Sequence, residues 1–128
     1  MKVLLDTHAF LWSIAGDDRL SKTAGKIFLN PDNSLFFSAA SFWEICIKIS
    51  LGKLSLKSGW FKTIEEELRV NAIQWLSVEM PHCVELTKLP FHHRDPFDRM
   101  LIAQARVEDL QLMSRDDRLS AYDIKRIW

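Results

Sequence analysis

The run KVLLD (2–6) is apolar on both of its alternating faces until a carboxylate stops it. A strand of this kind is stable only inside a sheet covered on both sides, because neither face can meet water. SLFFSA (34–39) repeats the pattern. Segments with helical spacing lie between and after these runs. HAFLWSIA is a helix stopped near Gly16, and SKTAGKIFLN is a second, with Ser21 as N-cap and Asn30-Pro31 as its stop. SFWEICIKISL carries Phe42, Ile45 and Ile49 on one helical face, and Gly52 closes it. GWFKTIEEELRVN (59–71) is amphipathic, with Trp60, Ile64 and Leu68 aligned. IQWLSV is a short strand candidate and EMPHCVELTKL a short helix. A long helix runs from Pro96 to about Glu108, LQLMSRD follows as a strand, and IKRIW holds a final short one. Strands alternating with helices predict an α/β chain, a three-layer α/β/α sandwich around a mainly parallel sheet.

With 128 residues and no repeat, low-complexity stretch or linker, the chain is expected to be one domain, 1–128. Lys+Arg and Asp+Glu each total 17, which argues against a strongly basic nucleic-acid binder. Contact with RNA or DNA then requires a local patch or bound cations. Cys46 and Cys83 lie outside metal-ligand spacing and are expected to be reduced thiols in a cytoplasmic protein. The apolar N-terminus is interrupted at Asp6, lacks a cleavage pattern and is not expected to be a signal peptide. No run reaches membrane-spanning length, so no membrane association is expected. The five tryptophans are assigned to core or partner interface.

The coarse secondary structure also places the acidic residues. In a right-handed β-α-β unit each strand ends at the carboxyl edge of the sheet, and the following helix starts there. A helix that precedes a strand has its own N-terminus at that same edge. Asp6 ends the first strand, and Glu44 lies in the first turn of the helix after the second. Asp95 and Asp98 open the long helix, and Asp116 and Asp117 follow the strand after it. Four segments thus bring carboxylates to the edge where α/β sheets place ligand sites.

Taken singly, most of these residues have a local explanation. Ser41-x-x-Glu44 matches a capping box. Asp95 before Pro96 is a good N-cap, Asp98 complements the helix dipole, and Asp116 and Asp117 suit a turn. Asp6 is the exception, because a charge ending the innermost strand is costly unless paired or metal-bound. Together the carboxylates would repel one another. A divalent cation removes the repulsion, and all-oxygen ligands suit Mg²⁺ or Mn²⁺. Acidic clusters holding such ions serve in-line attack of water on a phosphodiester.

LLDTHAFLW, SAASFWEICIKISLGKL, LPFHHRDPFDRMLIAQA and LMSRDDRLSAYDIKRIW, in this order over nearly the whole chain, resemble the PIN-domain family, and in particular VapC-type toxins of toxin–antitoxin pairs. The resemblance implies a Mg²⁺- or Mn²⁺-dependent ribonuclease of PIN-like fold, a homodimer held inactive by a cognate antitoxin. It matches Asp6 and Glu44 to the family's first two acidic positions and Asp116, in Ser114-x-Asp116, to the fourth, with Ser where Thr is frequent. The third position is open between Asp95 and Asp98; spacing to Ile102-Ala103 favours Asp98 as ligand, with Asp95 as cap or outer support and Asp117 as a spare. The rival function is a catalytically inactive RNA- or protein-binding module on the same fold, which predicts at least one of these carboxylates missing.

Thr7, Ser38 and Ser114 are candidates to orient a carboxylate or water. Arg94, Arg99, Arg115 and Arg118 flank the acidic edge and suit phosphates or ion pairs, Arg99 with Asp95 among them. Lys48, Lys53 and Lys57 are expected to form a solvated face. His92 and His93 are assigned to a loop or outer-support role, and His8 to packing or capping.

Overall fold

The structure, a computed structural model, describes all residues 1–128. Strands β1 (Lys2–Leu5), β2 (Ser34–Ser38), β3 (Gln74–Leu76), β4 (Gln111–Met113) and β5 (Arg126–Ile127) form one sheet in the order β3-β2-β1-β4-β5. Every neighbouring pair is parallel. β1 is the central strand, and Val3, Leu4 and Leu5 are wholly buried. Alternate residues feed two cores. Val3, Leu5, Leu35, Phe37 and Met113 pack with Phe10 of α1 (Thr7–Ala15), Ala24 of α2 (Lys22–Leu29), Ile45 of α3 (Ala39–Ser50) and Ile64 of α4 (Trp60–Val70). Leu4 and Leu112 pack on the opposite face, where α5 (Met80–Leu86) lies against α6 (Pro96–Val107) and Leu101, Ile102 and Ala105 of α6 fill the core. The result is the expected three-layer sandwich, its sheet wholly parallel. No helix is long and apolar enough to cross a membrane.

The strand order fixes where a ligand site can lie. From β1 the chain builds outward through β2 and β3, then crosses to the other side for β4 and β5. Successive connections therefore diverge beside β1, and a crevice opens between the carboxyl ends of β1 and β4.

Two local features depart from the sequence expectation. α3 begins at Ala39 with Ser38 as N-cap, its hydroxyl accepting from Ala40 N at 3.0 Å. The last residue of β2 thus doubles as a cap, and the Ser41–Glu44 capping box does not form. Ser41 is instead buried with its hydroxyl unpartnered, and Glu44 moves into the second turn. A 3-10 turn, Asp117–Ala121, also follows β4, where no element was expected. Across the sheet edge, Ser38 donates to Gln104 Oε1 at 2.6 Å, and Gln104 Nε2 donates to Ser77 O at 3.2 Å. Ser38 ends β2, Gln104 is on α6 and Ser77 follows β3, so this buried link fixes α6 relative to two strand ends.

Leu4→Ala should lower the unfolding free energy by about 2–5 kcal/mol. Leu29→Ala, at a residue 77% exposed, should stay within about 0.5 kcal/mol. Urea unfolding of the two variants measures both.

Candidate active site

Asp6 continues the sheet for one residue, its N–H donating to Met113 O at 3.0 Å. It then starts α1, with Oδ1 accepting from Ala9 N at 2.7 Å. Its carboxylate is therefore fixed at the crevice by both elements, and it is 7% exposed. Ser114, just past β4, places its hydroxyl against Asp6 and accepts from Asp116 N at 3.1 Å. Thr7 donates to Glu44 Oε1 at 2.6 Å, so α1 orients the carboxylate that α3 brings. Asp95 caps α6, its Oδ1 accepting from Phe97 N and Asp98 N. Asp98 stands one turn further on, where its side chain is free of backbone bonds. Asp116 caps the 3-10 turn and is gripped by Arg118 through Nε and Nη2.

Asp6, Glu44, Asp95, Asp98, Asp116 and Asp117 line one cleft of about 510 Å³. Lys48, Arg115 and Arg118 close its rim. Ser38 is the one named support that stands apart, since its hydroxyl is committed to Gln104 and to the α3 cap.

The electrostatics follow from this crowding. Burial pushes the Asp6 carboxyl up, against the Ser114 hydroxyl and the Ala9 N–H, which favour its charge. Asp98 is pushed up to about 7, first by burial and then by the charges of Asp95, Asp6, Glu44 and Asp116. Asp116, beside the Arg118 guanidinium that hydrogen-bonds it, is held down at about 2. The cluster thus combines one anion satisfied by arginine with another left uncompensated.

His93 fills the space between them. Its Nε2 lies 3.3 Å from Asp98 Oδ2 and 3.2 Å from Asp116 Oδ2. His93, Asp98 and Asp116 have the spacing of a metal site, but the ring's other nitrogen argues otherwise. Nδ1 accepts from Asp95 N at 3.0 Å, so in the neutral ring the proton sits on Nε2. No lone pair remains there for an ion, and His93 acts as a donor to the two carboxylates.

Arg99 meets neither phosphate nor Asp95 side chain. It is buried on α6 and donates to Pro90 O at 2.8 Å, Leu89 O at 3.3 Å and the Tyr122 hydroxyl at 3.3 Å. That hydroxyl accepts from His93 N at 2.9 Å. Arg99 and Tyr122 therefore brace the loop that carries His93. Lys48 keeps a solvated side chain but also turns into the cleft: its Nζ lies 2.8 Å from Glu44 Oε2. The signal for that pair was its i, i+4 spacing on a predicted helix. His8 stacks on Trp12 at 5.3 Å between ring centres.

A family model described as the PIN domain matches residues 3–125. Among solved structures, the chain is similar to VapBC2 from Rickettsia felis bound to a DNA fragment of its promoter, at 12% identity, TM-score 0.74, over 99% of this chain and 98% of that one. DNA-bound VapBC from Salmonella typhimurium gives 16% identity and TM-score 0.72, covering 99% and 97%. A toxin–antitoxin complex from Klebsiella pneumoniae gives 13% and 0.62, covering 98% and 96%. Likeness at such identities establishes the fold. No curated protein matches the chain significantly.

The raised Asp98 carboxyl has a consequence for stability. Above its ordinary value of 3.8 the unfolded chain ionises this group, whereas the folded chain keeps the proton up to about 7. The folded state holds more protons in that window, so this group makes unfolding easier as pH rises through it. In the presence of a chelator, Asp98→Asn should be more stable than the parent at pH 8, on the order of 4 kcal/mol. The difference should vanish near pH 4. Denaturant unfolding at the two pH values checks it, and an equal effect at both would exclude the crowding.

Proposed function

The chain belongs to the PIN-domain family, and on that premise we propose that it is a Mg²⁺- or Mn²⁺-dependent endoribonuclease, the toxin of a toxin–antitoxin pair. The observation that carries the proposal is the convergence of Asp6, Glu44, Asp98 and Asp116 on one cleft at the switch of strand order. These four are the proposed metal ligands, with Asp95 and Asp117 at the margin as alternates. The donor set fits the ion. It is all carboxylate oxygen, no thiol lines the cleft, and Asp98 carries a charge penalty that a cation relieves.

A divalent ion held there supplies Lewis acidity for hydrolysis of an RNA phosphodiester by water. The chain's own residues prepare the ground for it. Thr7 fixes the Glu44 carboxylate, and Ser114 steadies Asp6 and the Asp116 backbone. His93 holds Asp98 and Asp116 at a set separation through one N–H.

The partner part of the proposal draws on the similar VapBC structures and on the similar toxin–antitoxin complex from Klebsiella pneumoniae. A cognate antitoxin that covers the acidic edge with an arginine matches the charge of the cleft. Homodimer formation completes the proposal, together with a cytoplasmic location. Trp43 is 63% exposed and meets Phe97 edge-on, which offers apolar surface for such a contact. All four carboxylates are present, and nothing in the cleft favours the inactive-module alternative.

Purified protein should cut a pool of small RNAs with Mg²⁺ or Mn²⁺ and lose that activity with a chelator, while circular dichroism shows the fold retained. Asp6→Asn, Glu44→Gln and Asp116→Asn should abolish cleavage. Thr7→Val should reduce it about 10- to 100-fold. Activity surviving the three carboxylate changes would remove the mechanism.

A further inference from the structure

Asp6, Glu44, Asp98 and Asp116 already have side-chain partners within the protein, and these fall into two kinds. Thr7, Ser114 and His93 are short or buried groups on fixed backbone. Lys48 and Arg118 are long side chains, 37% and 68% exposed, reaching in from the rim. Lys48 occupies Glu44 Oε2, the oxygen Thr7 leaves free. Arg118 spans both oxygens of Asp116, at 2.9 Å from Oδ1 and 2.8 Å from Oδ2. A metal ion drawn to Glu44 and Asp116 therefore competes with these two cations for the same carboxylate charge. The Arg118 pair is largely exposed and contributes little to stability, whereas Lys48 neutralises a Glu44 that is only 7% exposed, so Lys48 leaves when an incoming ion replaces its charge.

Displacement leaves two positive heads tethered beside the cleft. Arg115 joins them there; it lies over the Trp12 ring at 5.9 Å and has no carboxylate partner within ion-pair distance. An acidic cleft on a chain of zero net charge has otherwise little to offer a polyanion. We propose that Lys48 and Arg118 exchange partners: they neutralise Glu44 and Asp116 in the metal-free protein and bind the phosphates of single-stranded RNA once a divalent cation has taken those carboxylates. This rests on the nuclease reading above. It adds that metal and RNA bind cooperatively, because each removes a competitor of the other.

The test reads binding, not turnover. Mn²⁺ affinity is measured by electron paramagnetic resonance of the free ion. Affinity for a single-stranded oligoribonucleotide is measured by fluorescence anisotropy at saturating Ca²⁺ over a range of salt, with strand integrity checked on a gel. Lys48→Gln and Arg118→Gln should each bind Mn²⁺ more tightly, by about two- to fivefold. Each should bind RNA more weakly, with the slope of log affinity against log salt reduced by roughly 0.7. Lys48→Arg keeps the charge and should behave as the parent; Lys26→Gln, on α2 away from the cleft, controls for net charge. A purely structural role for these side chains would not move metal and RNA affinity in opposite directions. Unchanged or weaker Mn²⁺ binding in both variants overturns the exchange, as does an unchanged salt slope. A parent protein that binds neither Mn²⁺ nor RNA removes the nuclease reading and this inference together. A parent that binds both, with variants that fail the opposite-sign test, removes this inference alone.

Discussion

β1 can exist only with both faces covered, and that requirement organises the molecule. Burying Val3 and Leu5 on one side and Leu4 on the other demands helices above and below, and parallel neighbours supply them through crossover connections. The same strand ends in a carboxylate, so the most deeply buried backbone in the protein delivers a nearly buried charge. Such a charge must be compensated. Ala9 N–H and the Ser114 hydroxyl do part of this, and Asp6 remains uncomfortable enough that burial still raises its proton affinity.

The remaining carboxylates of the cleft are arranged on the same principle of shared duty. Asp95 spends its side chain on two backbone N–H groups and gives α6 a fixed starting point. Asp98, one turn along, is thereby free to face the cleft and takes the full effect of its neighbours' charges. The opening of α6 thus separates an aspartate committed to capping from one free of backbone bonds by three residues. The brace built from Arg99 and Tyr122 acts one layer further out, holding the loop whose imidazole spaces Asp98 from Asp116.

Period and punctuation in the sequence were enough for the layers, the five strands and the edge to which the acidic residues go, because burial on both faces leaves a strand few alternatives. The start of α3 was misplaced because Ser41 offers a better capping pattern locally than Ser38 does. The strand end decided the matter, since β2 hands its last residue directly to the helix. Arg99 exchanged its expected surroundings for a comparable reason. An arginine among aspartates suggests ion pairs, but Arg99 lies on the inner face of α6 and satisfies its donors with carbonyls of the loop above. Such acceptors are backbone atoms, which leave no trace in residue type. The proton on His93 Nε2 was equally hidden, being set by a backbone N–H two residues away.

The pairing of β1 with β4 joins Val3 to Gln111 and Leu5 to Met113, with most of the chain between them. Asp6 and Asp116 are brought together by the contact of longest sequence separation in the sheet. During synthesis, helices such as α1 and α2 have all their hydrogen bonds available early, whereas the cleft has no second wall until β4 has emerged and docked. The order of translation therefore sets when the cleft can form: the Asp6 carboxylate waits at the end of β1 until β4, the strand that supplies the opposite wall, has followed.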